Sequence, residues 1–205
     1  MTLILLGLLV AQSPVGVFTT QTDVGRATGS ASYDPQTQAY LVAGSGQNMW
    51  DTRDDFHFVW KRLTGNFILS TRARFLGPGV EEHRKIGWTI RPSLDTNSTH
   101  VTAALHGNGL MSLQFRRQPG GITEEAKSAD SLPEADAIIQ LERRDGEYFM
   151  SVARVGDTLV TQRLGGVSLP DSVYVGLFVC AHNDSVTERA TFSNVRITTR
   201  TRRPS

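Results

Sequence analysis

Lys85-Ile86-Gly87-Trp88-Thr89-Ile90-Arg91 and His100-Val101-Thr102-Ala103-Ala104-Leu105-His106-Gly107-Asn108-Gly109-Leu110-Met111-Ser112-Leu113-Gln114-Phe115-Arg116 decide the fold. Every second residue is apolar: Ile86, Trp88 and Ile90, then Val101, Ala103 and Leu105, then Met111, Leu113 and Phe115. Period-two alternation is that of a strand with one buried face. Gly107-Asn108-Gly109 joins the last two runs as a tight hairpin. The same alternation extends outward. Phe56, Phe58 and Trp60 alternate with Asp55, His57, Val59 and Lys61, which sets the aromatics inward. Asp145-Gly146 separates two further runs as a two-residue hairpin turn, and Gly156-Asp157 turns the chain again. Leu132–Arg144 does not hold a helical period and reads as a strand. Short strands at regular spacing, with no long helix, predict an all-β, two-sheet antiparallel sandwich of the jelly-roll, concanavalin A-like kind.

The chain has 205 residues, enough for one such domain to bury a core unaided. No repeat or linker divides it, so a single sandwich domain is expected over residues 15–198. Met1–Val10 is apolar and is followed by Ala11-Gln12-Ser13, which reads as a signal peptide over residues 1–13 and predicts a secreted or periplasmic protein. Residues 199–205 read as a basic, solvated tail. The net charge of +1 argues against nucleic acid as a partner, and no segment is long enough for membrane insertion. The single cysteine, Cys180, lies in an apolar run and reads as a buried structural thiol.

Residues of the other parity share the outer face of a sheet: His57, Lys85, Thr89, Arg91, Thr102, His106, Ser112, Gln114 and Arg116. Such a face, rich in His, Arg and Gln, offers planar, multi-donor hydrogen bonding to hydroxyls, carboxylates or phosphates. Candidate ligand-binding residues are therefore His57, Lys85, Arg91, His106, Gln114 and Arg116, with His182 and Glu188 completing the site; Glu124 and Arg143 are further candidates. Trp50, after the loop Gly44-Ser45-Gly46-Gln47-Asn48, is a candidate platform for a sugar ring, whereas Trp60 and Trp88 share core parity. The five histidines are scattered, and neither a phosphate-binding loop nor His-Glu-x-x-His nor Gly-x-Ser-x-Gly occurs, so no metal or cofactor is expected. Glu81-Glu82 and Glu124-Glu125 fall in loop-like surroundings and read as solvated acids.

Several segments together resemble domain-of-unknown-function family 1349, bacterial concanavalin A-like sandwiches. They are Tyr33-Asp34, Gly44–Trp50, Asp54–Phe58, Lys85–Trp88, Ile90-Arg91, His106–Gly109, Leu113–Arg116, Gly176–His182 and Phe192–Val195. The resemblance implies the lectin/glucanase type of fold and, by analogy, a glycan-related role. The Glu-x-Asp-x-x-Glu cluster of laminarinase-like members of that fold class is missing. Three functions follow. The first is an exported carbohydrate-binding or lectin-like module using a polar concave sheet face, with a glycan or other polar small molecule as partner. The second is a saccharide-acting hydrolase or lyase, with His106 or His57 as base, Glu188 or Glu124 as acid, and Lys85 or Arg91 stabilising charge. The third is a cell-envelope structural or interaction domain with an envelope protein partner.

Overall fold

The computed structural model describes residues 13–132 and 136–199; residues 1–12 of the expected signal peptide and residues 200–205 of the expected tail lie outside them. The strands are β1 (Thr20–Val24), β2 (Gly29–Asp34), β3 (Ala39–Gly46), β4 (Met49–Trp50), β5 (Arg53–Asp54), β6 (Phe56–Leu63), β7 (Phe67–Leu76) and β8 (Lys85–Arg91). They continue as β9 (His100–His106), β10 (Leu110–Arg116), β11 (Glu124–Ser131), β12 (Ala137–Arg144), β13 (Glu147–Arg154), β14 (Val160–Leu164), β15 (Val173–Cys180) and β16 (Asn183–Thr199). Two antiparallel seven-stranded sheets result: a front sheet, β1-β6-β15-β8-β9-β10-β11, and a back sheet, β14-β13-β12-β7-β16-β3-β2. The short β4–β5 hairpin pairs only with itself.

Between the sheets lies the main core. Trp88, Ile90, Leu105, Leu113 and Leu177 meet Val42, Leu69, Ile139, Leu141 and Phe192, all fully or almost fully buried. The turns form as their chemistry dictates: Asp145 and Gly146 both take positive φ, 51° and 82°, as a type I′ hairpin requires. The stretch read as a strand rather than a helix is β12.

The front sheet departs from simple alternation. All seven residues of β8 and all seven of β9 are buried, so both faces of these strands are covered. A second apolar cluster accounts for part of this: Val24, Met49, Phe56, Phe58, Ala104, Phe178 and Cys180 pack on the outer side of the front sheet.

The parity expected for β6 is therefore corrected. Phe56 and Phe58 face outward, and Trp60 is half-buried beside Tyr174, their ring centroids 4.8 Å apart, instead of lying in the core. Val59 and His57 point inward. The cause is visible in the strand itself: Phe56, Phe58, Val59 and Trp60 put apolar groups on both parities, so period two cannot choose a face. Pairing with β15 chooses it, setting Val59 beside Leu177 and His57 beside Val179.

His57 helps to close one edge of the sandwich. Its ring lies 2.7 Å from Asp23 Oδ1 and 3.0 Å from Gln21 Oε1. Gln21 also holds the backbone of Ala31 in β2, which ties the front sheet to the back one. Burial pushes the His57 imidazole below its ordinary value, against the pull of Asp23. Its ring fits only because glycines stand opposite. A Cβ at Gly44 would lie 2.6 Å from the Val179 carbonyl oxygen and 2.8 Å from His57 Cβ. Gly44→Ala should therefore lower stability by about 1–3 kcal/mol. Urea denaturation checks this, and an unchanged midpoint would contradict the packing described.

Candidate functional site

The strand register lays out the outer face of the front sheet in rows. Cys180, Lys85 and His106 form one; Gly87, Ala104 and Ser112 the next; Thr89, Thr102, Gln114 and Glu125 a third. Arg91, His100 and Arg116 lie at the far end.

A strap formed by residues 48–55, which contains the β4–β5 hairpin, crosses this face. Met49, fully buried, packs into the outer apolar cluster with Ala104, Phe178 and Cys180, a burial that stabilises by about 2 kcal/mol. Asp54 is also fully buried. Its Oδ1 accepts from Arg116 Nη2 at 2.8 Å, its Oδ2 from Arg116 Nη1 at 3.0 Å, and Arg91 Nη2 stands 3.3 Å away. Arg116 also donates to the carbonyls of Ser98 and Asp51 and to Thr123 Oγ1. Arg91 donates to the carbonyls of Ser93 and Asp95, which tethers a second covering loop. Backbone bonds from Asp54 to Thr96 and from Thr123 to Asp51 complete the seal. Beneath it His100, fully buried, sits 3.0 Å from Thr102 Oγ1, and desolvation drives its pKa down to about 3.

The opposite end of the face is arranged differently. Lys85 Nζ donates to Asn48 Oδ1 at 2.9 Å. Gln114 Nε2 donates to His106 Nε2 at 3.3 Å, which makes Nε2 the acceptor and places the neutral ring's proton on Nδ1. Ser112 Oγ lies 3.2 Å from the same nitrogen. Two further imidazoles stand at the rim: His83 packs edge-on to both His106 and His182, at centroid distances of 5.9 and 5.7 Å. Lys85, His106, Ser112 and Gln114 form a buried polar floor, and Asn48, Glu125, His182 and His83 are its half-buried to exposed surround. Gln114 Oε1 and His182 Nδ1 are buried without a hydrogen-bond partner. Burial pushes the Lys85 ammonium below its usual value, and lowers that of His182 also, with Lys85 adding to the latter. Among the described residues no group of three or more His, Cys, Asp or Glu is placed to hold a metal ion.

The sequence-based candidates thus divide. Lys85, His106 and Gln114 come together, with His182 at their rim. Arg91 and Arg116 lie on the expected face but hold the strap. His57 belongs to the inner face, not the polar one. Glu188 lies on β16 in the back sheet and is ion-paired with Arg84 at 2.5 Å, with Val80 N donating to its other oxygen. Arg143 binds the carbonyls of Leu169 and Asp171, and Glu124 pairs with Arg117 at the surface. Trp50 is half-buried on the strap. Three participants were not among those candidates. Asn48 sits in a loop, His83 just precedes β8, and Glu125 belongs to β11, where the sequence had suggested a loop.

This is a jelly-roll, concanavalin A-like sandwich carrying a polar patch on one sheet face. No protein-family model matches the sequence, and neither does any curated protein. Solved structures do match in fold. A functionally unknown protein from Saccharomyces cerevisiae is 15% identical with a TM-score of 0.65, over 84% of this chain and 97% of that one. The carbohydrate-binding module CBM66 from Bacillus subtilis is 14% identical with a TM-score of 0.56, over 92% and 98%. A family 7 alginate lyase, A1-II′, solved in complex with substrate, is 10% identical with a TM-score of 0.57, over 82% and 80%. Seed lectin from Lotus tetragonolobus shares the fold at 8% identity and a TM-score of 0.59, over 94% and 98%.

Two outcomes follow. Asp54→Asn leaves two buried guanidiniums without a counter-charge and should cost about 3–5 kcal/mol, with faster amide exchange in residues 48–55. Wild-type protection there would contradict the anchoring role. His100 takes up a proton only on unfolding once pH falls below the ordinary histidine value, so stability is lost as pH drops from about 6.5 toward about 3. The loss should approach about 1.4 kcal/mol per pH unit from this residue. Denaturation midpoints between about pH 4 and about pH 7 should fall less steeply in His100→Asn; an equal slope would contradict the assignment.

Proposed function

We propose that the protein is an exported carbohydrate-binding module that takes a sugar at the Lys85–Gln114 end of its front sheet. The observation that carries this reading is the contiguous floor of Lys85, His106, Ser112 and Gln114, in which Gln114 Oε1 has no partner and Lys85 uses one of its three donors. A buried polar atom without a partner costs free energy, and a ligand that satisfies it recovers that cost. At the far end of the same face Arg91 Nη1 and Arg116 Nε also lack partners, but both residues are fully buried beneath the strap and their charge is already met by Asp54. The fold likeness to a carbohydrate-binding module, to lectins and to a polysaccharide lyase supports the choice of a saccharide by analogy. The apolar stretch Met1–Val10 supports export, and the segments that resemble family 1349 support membership in it.

A hydrolase or lyase is the weaker reading. His106 Nε2 already accepts from Gln114 and lies beside Ser112, and Glu188 is bound to Arg84 away from it. A general base must reach the proton it removes.

Calorimetric titration with a panel of oligosaccharides tests the proposal. Gln114→Met keeps the volume and removes the amide, and should weaken binding about five- to thirty-fold while the melting temperature stays close to wild type. Absence of binding to every saccharide, or wild-type affinity in Gln114→Met, would contradict it.

A further inference from the structure

We infer that the glycan bound at this site carries a negatively charged substituent, a carboxylate or a sulfate ester, and that Lys85 is the cation that seats it. The inference rests on the glycan reading above and deepens it.

Lys85, Arg84, Arg91, Arg116 and Arg143 are all buried among the described residues. Arg84 is ion-paired with Glu188, and Arg91 and Arg116 with Asp54. Arg143 takes two backbone carbonyls. Lys85 alone of the five has a neutral side-chain amide, that of Asn48, as its only hydrogen-bond partner. Lys85 is 2% exposed, and no described carboxylate is ion-paired with it.

The nearby acids are otherwise arranged. Asp54 is held by two arginines, and Glu81 accepts from Asn183 at the rim. Glu125 acts on Lys85 through space. An ammonium has three donors, and one is used. A buried cation without a counter-charge is unfavourable by itself, and an anion that completes the pair removes that penalty. Beside Lys85, cross-strand, is His106, and Gln114 follows through its amide. The unpartnered Gln114 Oε1 supplies an acceptor for a hydroxyl of the sugar that carries the charge.

The test uses three probes: tri-galacturonate, its fully methyl-esterified form, and a galactose trisaccharide sulfated at O6. Calorimetry at low salt should show one or both anionic sugars binding about ten- to a hundred-fold more tightly than the ester. The two anionic arms tell carboxylate from sulfate. The preference should shrink as NaCl rises from about 50 to about 500 mM. Lys85→Gln should abolish the preference and leave weak binding to the ester, whereas Lys85→Arg should keep most of it; circular dichroism and melting temperature confirm that each variant is folded. Equal affinity for ester and acids overturns the charge inference and leaves the glycan reading standing. So does an equal loss toward all three probes in folded Lys85→Gln. Failure of every saccharide to bind overturns both.

Discussion

The carboxylate of Asp54, buried between the guanidiniums of Arg91 and Arg116, is the contact on which the front of the molecule depends. Two cations around one anion would be a poor arrangement in isolation. Other guanidinium donors help to make it workable by reaching the carbonyls of Ser93, Asp95, Ser98 and Asp51. The same set of bonds therefore neutralises charge and ties covering segments to the sheet. With Met49 packed behind Asp54, the strap turns what would have been a solvated sheet face into a second interior.

That constraint divides the face in two. At the Asp54 end each cation has acceptors and the histidine is forced neutral. At the other end Lys85 meets only an amide, and Gln114 keeps an unpartnered oxygen. Similar residue types thus play opposite parts, and what separates them is whether the fold itself supplies the partner. The Arg84–Glu188 pair follows the first pattern. It lies on the loop side of the floor, where Arg84 stacks 4.1 Å from the Phe75 ring centroid and binds the Gly77 carbonyl.

The fold was legible because apolar residues recur at every second position of β8, β9 and β10, and because Asp145-Gly146 and Gly107-Asn108-Gly109 permit little besides hairpins. The facing of β6 was not legible, since its apolar residues occupy both parities and only pairing with β15 resolves them. The candidate site was half legible. Parity placed Lys85, His106, Gln114, Arg91 and Arg116 on one face, and they are there. Nothing in the alternation shows that residues 48–55 fold back over that face, because the strap is held by long-range contacts of Asp54 and not by local pattern. Glu188 looked available for the same reason: its partner Arg84 lies 104 positions away in sequence. Asn48 and Glu125 escaped notice because a loop amide and a surface-like acid pair carry no periodic signal.

The five histidines report independently on where a ligand settles. His83, His106 and His182 belong to the end around Lys85 and Gln114, His57 to the closed edge between the sheets, and His100 to the sealed end beneath Asp54. Imidazole resonances followed by NMR while an oligosaccharide is titrated in would separate these places. The account predicts that the signals of His83, His106 and His182 move together and saturate while those of His57 and His100 stay still. Movement of His57 or His100 with the other three unchanged would contradict it.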